Sequence, residues 1–286
     1  MERKRQEQKL RKRMYHYLKR MYEGVLPPHL NIQKLLDTGY NFEEAKKQYQ
    51  QMARYLPRQK EDKILDAGSG FGYFISYCLK RGLDCYGYET DDELIGISQN
   101  LLRHNNQDEQ KIQKVNKGYL PFPDSFFDLI NVHYVADYVQ DRDLFWKELK
   151  RVLKDNGAIY CININYMVMY CNIYYLFFIP WLPRIINRWY LKLRRRNPNF
   201  FHTLNFITPH SLKKEVKKQG LICTNKSLEE WLALINQNDF CSRSPALVKV
   251  IKFLDFFQLR GLLKIIGKMG FYSPMISIIR KDQQYN

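Results

Sequence analysis

Acid is scarce in this sequence. Against 46 Lys and Arg stand 29 Asp and Glu, which leaves a formal charge of +17 on 286 residues. The excess is uneven. Residues 1–20 carry nine bases against Glu2 and Glu7, and Arg184, Arg188, Lys192, Arg194, Arg195 and Arg196 follow one another with no acid between them. Blocks of one sign attract phosphates, nucleic acid or an anionic membrane face, and a solvated basic surface is the plain alternative. Metal-ligand spacing is also missing: the six cysteines (Cys78, Cys85, Cys161, Cys171, Cys223, Cys241) form no Cys-x-x-Cys pair, and no two histidines stand three to five residues apart. No structural or catalytic metal is therefore expected. The first residues hold no apolar core of a secretion signal, so the expectation is a cytoplasmic chain with reduced thiols. The apolar run at 166–179 is fourteen residues, interrupted by Asn172 and stopped by Pro180 and Pro183. It is too short to span a bilayer, which takes about 20 residues, and suits an interfacial or buried helix. Disorder is excluded over most of the length by a hydrophobic content of 45% and an aromatic content of 15%.

What is present is alternation. Residues 63–66 read as a short buried strand, 71–80 as a helix ending near Gly82, 84–89 as a strand and 93–105 as a helix. Residues 127–132 are a further strand, 143–153 an amphipathic helix, Asp155-Asn156-Gly157 a turn and 158–164 a strand. This order predicts an α/β fold: a doubly wound, mostly parallel sheet with helices on both faces. Residues 1–20 read as a basic helix or a frayed arm and 41–55 as a helix, so 1–56 are expected to form a basic helical cover and 57–286 the main domain. Thr208-Pro209-His210-Ser211 starts a helix that runs to Lys218, followed by a strand at 221–224, a helical stretch at 245–268 and a last strand at 274–280. Apolar insertions lie at about 166–206 and 225–270, after the fifth and sixth strands.

The chemistry concentrates in Ile64-Leu65-Asp66-Ala67-Gly68-Ser69-Gly70-Phe71-Gly72, where a strand hands over to a helix. Glycines there let the backbone turn and approach a ligand closely. The dinucleotide fingerprint needs a glycine at the sixth place, which is Tyr73. Asp66, two residues before the first glycine, repels a pyrophosphate and attracts an ammonium group. S-adenosylmethionine has the ammonium and no phosphate. Glu89 ends the second strand about 20 residues beyond the first glycine, where a carboxylate accepts both ribose hydroxyls.

These residues resemble the class I S-adenosylmethionine-dependent methyltransferases, in particular the type 11 group that includes ubiquinone and menaquinone methyltransferases. Leu120-Pro121-Phe122-Pro123-Asp124-Ser125-Phe126-Phe127-Asp128 looks like that group's segment before the fourth strand, and Arg151-Val152-Leu153-Lys154-Asp155-Asn156-Gly157 is similar to its turn into the fifth. The resemblance implies a Rossmann-like sheet and S-adenosylmethionine as cofactor. It implies that Asp66, Ala67, Gly68, Ser69, Gly70 and Gly72 form the cofactor loop and that Glu89 and Thr90 meet the ribose. Asn116, Lys117 and Gly118 stand where the adenine amine is met, and Asn131, Val132 and His133 where the methionine end lies. Two departures are visible: Asn116-Lys117-Gly118 replaces a frequent acid, and Asp137-Tyr138 a frequent Glu-His pair.

Methyl transfer from a sulfonium is an in-line displacement, so the protein must hold the acceptor on axis and shed water. His133, Tyr134, Asp137 and Tyr138 follow the fourth strand and are the catalytic candidates, His133 first because its ordinary pKa suits proton transfer near neutrality. The aromatic stretch 166–182 beside the arginine cluster, and a basic amphipathic stretch at 246–269, fit an anionic lipid surface or an ordinary core. The leading expectation is methylation, at oxygen, of an apolar or lipid-linked acceptor by a cytoplasmic protein peripheral on the inner membrane face. Nucleic-acid methylation is the alternative the charge suggests, although no Asn/Asp-Pro-Pro-aromatic signature is present. A non-catalytic scaffold is the third, against which the intact loop and Glu89 count.

Overall fold

The computed structural model describes residues 2–237 apart from 28, 29, 58, 60, 117, 169, 172 and 178–181, together with 265, 268–270, 272 and 274–282. Three helices come first: α1 (Glu2–Met21), α2 (Ile32–Gly39) and α3 (Phe42–Tyr55). The shorter two begin where an Asn side chain replaces a missing helical acceptor. Asn31 Oδ1 accepts from Gln33 N at 2.7 Å, and Asn41 Oδ1 from Glu44 N at 2.8 Å. Although α1 is polar nearly all round, Leu10, Met14 and Leu18 fall four apart on one face and are buried. With Leu36 they pack on Phe71, Ile97 and Leu101. The ion pairs Arg11–Asp37 and Arg20–Glu93 tie α1 down, so part of the N-terminal basic block is matched within the chain.

From Lys63 strands and helices alternate: β1 (Lys63–Ala67), α4 (Tyr73–Lys80), β2 (Asp84–Glu89), α5 (Asp92–His104), β3 (Ile112–Lys114), β4 (Phe127–His133), α6 (Arg142–Val152) and β5 (Leu153–Asn163). A small hairpin of β6 (Tyr170–Cys171) and β7 (Leu176–Phe177) follows, then α7 (Arg184–Leu193), α8 (Pro209–Lys218), β8 (Leu221–Asn225), α9 (Ser227–Gln237) and β9 (Met275–Lys281). The main sheet runs β3-β2-β1-β4-β5-β9-β8, parallel except for β9, which is antiparallel to both neighbours. This is the doubly wound sheet the alternation predicts. Both faces are dry: Leu65, Ile130 and Trp146 belong to one core, Ile64, Cys85 and Tyr160 to the other. Strand order reverses between β1 and β4, and the crevice beyond their carboxyl ends is where such sheets bind ligands.

Two expectations change, and one strand was not foreseen. The helix expected from residue 71 starts at Tyr73, because Gly70 and Gly72 hold φ of +53° and +83°, outside any right-handed helix. The turn expected at Asp155-Asn156-Gly157 lies inside β5 as an irregularity: pairing passes from Phe127↔Leu153 directly to Leu129↔Ala158. The sequence pattern does not disclose β3, whose three residues are too few to show a period. Of the amphipathic stretch expected at 246–269, all but Ile265, Lys268 and Met269 lies outside the described residues.

Candidate active site

A cleft of about 1150 Å³ opens at the carboxyl ends of β1, β2 and β4 and is roofed by α1, α2 and α3. Its floor is the glycine loop. At Gly68 (φ +72°) an added Cβ would fall 2.7 Å from Val135 Cγ2, so the protein's own packing demands glycine there. At Gly70 (φ +53°) nothing lies within 4 Å of the same position. The space above Gly70 is therefore open cleft, a cradle that a side chain would fill.

Around that cradle stand two carboxylates. Glu89, at the tip of β2, accepts from Gly70 N at 3.0 Å through one oxygen and from Thr90 N at 2.8 Å through the other. Loop and acid are thus locked to each other, and Ser69 N adds a bond to Tyr88 O at 2.9 Å. Asp66, next to the end of β1, is almost wholly buried and accepts from Asn131 Nδ2 at 2.5 Å, while Asn131 Oδ1 finds no partner among the described residues. Burial pushes the Asp66 carboxyl up to about 7; the Asn131 amide opposes the shift and the charge of Glu89 adds to it. A cation arriving beside Asp66 reverses the balance and draws the proton off.

His133 closes β4 half-buried on the cleft wall, its ring edge-on to Tyr134 at 4.7 Å between centroids. Desolvation pulls the imidazole down to about 4, so it is neutral at physiological pH. Tyr134 takes φ +57°, a left-handed conformation that costs a non-glycine residue about 1–2 kcal/mol. Tyr138 also lines the cleft, and burial holds its phenol protonated.

Most of the expected site residues converge here: Asp66, Gly68, Ser69, Gly70, Gly72, Glu89, Thr90, Gly118, His133, Tyr134 and Tyr138 all line the cleft. Others do not. Ala67, Asn131 and Val132 are buried behind its wall, where they build the strands that aim Asp66 and His133. Asn116 is exposed away from the lining, and Lys117 lies outside the described residues. Asp137 is fully buried and does not reach the cleft. Its Oδ2 accepts from Asn163 Nδ2 and Ile164 N, both at 3.3 Å, so the catalytic expectation for Asp137 is corrected to holding the chain that leaves β5.

The sequence reading missed the opposite wall. Tyr17 from α1, Tyr22 in the turn after it and Tyr40 after α2 face the cleft with Phe71, Tyr40 lying 4.8 Å from Phe71 between ring centroids. Ile173 and Tyr175, from the segment joining β6 to β7, add to it. Of the aromatic stretch after β5, the described Tyr166, Cys171, Tyr174 and Leu176 are core, buried with Leu191 and Phe201. A high tyrosine count, 21 in all, is the one trace of this wall in the composition.

Residues 65–161 match the family described as a methyltransferase domain. An uncharacterized methyltransferase of Schizosaccharomyces pombe is 34% identical over 122 residues, which cover 38% of this chain and 42% of that one. A demethylmenaquinone methyltransferase of Thermotoga maritima is 22% identical over 207 residues, covering 70% and 86%. Several curated relatives match this chain over less than half of their own length. Among solved structures, a methyltransferase from Archaeoglobus fulgidus dependent on S-adenosylmethionine shares the fold with a TM-score of 0.51 at 16% identity, over 86% of this chain and 97% of that one. Over residues 65–161 the chain therefore carries a class I, S-adenosylmethionine-dependent methyltransferase domain of the type 11 group.

Proposed function

We propose that the chain transfers the methyl group of S-adenosylmethionine to the oxygen of an apolar acceptor held between His133 and the tyrosine wall. The observation that carries this reading is the open cradle above Gly70, flanked by Asp66 and Glu89 and continuous with an aromatic-lined cleft. The residues fit the cofactor: a carboxylate for the ammonium group (Asp66), one for the ribose hydroxyls (Glu89), and backbone bare of side chains between them. When bound, S-adenosylmethionine supplies a methyl carbon on a sulfonium, already activated for displacement. Glu89 needs no reorganisation for its part, because Gly70 N and Thr90 N already fix its two oxygens. Tyr22, Tyr40, Tyr138 and Ile173 bound the acceptor side, exclude water and hold the acceptor on axis.

An acceptor hydroxyl donates to the neutral imidazole of His133, which takes the proton as the new O–C bond forms. With its pKa near 4 that imidazole is a weak base, so the chemistry suits an acidic hydroxyl such as a phenol or enol better than an alcohol. Such an acceptor, free or lipid-linked, partitions into membranes, and the same reading places the chain as a peripheral protein on the inner face. Among the described residues no helix is long and apolar enough to cross a membrane.

The test is transfer of labelled methyl from S-adenosylmethionine into a lysate separated into lipid, RNA, protein and small molecules. Label in the lipid-extractable fraction is expected. Label in RNA overturns the acceptor assignment, and no heat of S-adenosylmethionine binding in calorimetry overturns the enzyme reading itself.

A further inference from the structure

An ordinary surface helix turns its apolar stripe inward, and α7 does the reverse. Asn187 and Leu191 face the domain and are buried. Ile185, Ile186, Trp189 and Leu193 are 64%, 47%, 70% and 82% exposed. At about 100° per residue these four fall within a stripe about 100° wide, centred opposite the buried pair. Along one flank of the stripe run Arg184, Arg188 and Lys192, one turn apart, and Arg194 and Arg195 stand at the helix end. No acidic residue occurs anywhere between Asp155 and Glu215. None of α7 lines the cleft.

We propose that α7 is a docking helix for an anionic phospholipid surface: it lies in the interface with Ile185, Ile186, Trp189 and Leu193 among the acyl chains and its bases among the head groups. Charge selects this occupant. A second copy of the chain would bring one uncompensated basic row against another. A nucleic acid would satisfy the bases and leave the apolar stripe, the most exposed part of the helix, without a partner. An anionic bilayer meets both, since apolar burial and attraction of bases to lipid head groups act together where neither alone anchors a protein firmly. The inference rests on the apolar-acceptor reading for its purpose only, because docking is measured without turnover.

The experiment is co-sedimentation of the full chain with vesicles of phosphatidylcholine containing phosphatidylglycerol, and with phosphatidylcholine alone. The wild type should sediment with the anionic vesicles at low salt and be released as salt rises. Trp189→Gln with Leu193→Gln, and separately Arg188→Gln with Lys192→Gln, should each lower association at least tenfold. Thermal midpoint and S-adenosylmethionine affinity should stay at wild-type values, because every substituted side chain is exposed. Wild type left in the supernatant, or an apolar double variant that sediments like wild type, overturns the proposal. So does equal binding to neutral vesicles, or a wild-type dimer that the apolar double variant dissolves. Loss of docking with cofactor binding intact, or the converse, tells a failure of this surface from a failure of the enzyme reading.

Discussion

Replacing Gly70 with alanine should damage cofactor binding more than it damages the fold, and replacing Gly68 should do the opposite. Both glycines sit at positive φ, +53° at Gly70 and +72° at Gly68, so either alanine carries a backbone strain of about 1–2 kcal/mol. There the two part. A methyl at position 68 would fall 2.7 Å from Val135 Cγ2, adding an overpacking cost of about 1–3 kcal/mol that only a shift of Val135 relieves. A methyl at position 70 meets no protein atom within 4 Å, and the bond from the Gly70 amide to Glu89 leaves from the backbone. If that space belongs to the cofactor, the same overpacking cost falls on the complex instead. At about 1.4 kcal/mol per decade it weakens S-adenosylmethionine binding by roughly 5- to 150-fold. Urea denaturation and titration calorimetry on wild type, Gly68→Ala and Gly70→Ala separate the two effects. A folded Gly70→Ala protein with the wild-type Kd would refute the cradle, and with it the placement of the cofactor.

Glu89→Ala should weaken S-adenosylmethionine at least tenfold by calorimetry, since a hydrogen bond to a charged group is worth about 1.5–3 kcal/mol; an unchanged Kd removes Glu89 from the site. For Asp66, whose folded pKa near 7 lies above the ordinary 3.8, the free protein binds the extra proton, so its penalty on stability grows as pH rises from about 4 to about 7. A bound cation favours the ionised form, so affinity for S-adenosylmethionine should rise through pH 7 and then level, and Asp66→Asn should flatten that profile. His133→Asn should lower kcat about a hundredfold or more if the imidazole takes the acceptor proton. With cofactor saturating, the wild-type acid limb should lie near pH 4, and a limb near 7 would assign the proton to another group.

The glycine-loop half of the cleft was legible because it is local. Asp66, the three glycines and Glu89 belong to one strand-loop-helix-strand unit, and chain connectivity alone brings them together. The two motif segments before β4 and β5, unrelated in sequence, are joined by one side chain. Arg151 donates to Phe122 O at 2.8 Å and Leu120 O at 2.9 Å, while Ser125 N and Phe126 N donate to the backbone of Arg151 and Val152. Glu148, which receives Leu120 N at 2.9 Å and pairs with Arg151, completes that clasp and could not be singled out beforehand, since an acid on an amphipathic helix looks solvated. Asp137 misled for the same reason in reverse. Its place after β4 suggests chemistry, and only the fold reveals that two donors hold it in the interior.

The tyrosine-lined half, where the proposed function puts the acceptor, is not local, and this limits what any reading of the sheet can say about substrate. Its walls come from α1, α2 and the turns after them, which precede β1, from Tyr138 after β4, and from the β6–β7 segment, which follows β5, so no window of sequence contains the pocket. Each contributor also has a structural duty. Leu18 is buried against the glycine-loop side of the domain next to Tyr17, and Tyr174 is buried in the core beside the cleft-lining Tyr175. Alternate residues thus serve packing and pocket, and an apolar pattern cannot tell one from the other. The aromatic stretch at 166–176 therefore reads equally well as core, pocket or membrane face. The fold divides these roles by position: core for its buried rings, cleft for Ile173 and Tyr175, and solvent for the apolar stripe of α7 that follows. On the proposed function, acceptor choice then follows from how elements distant in sequence close over a glycine-loop cleft that the ends of β1, β2 and β4 build.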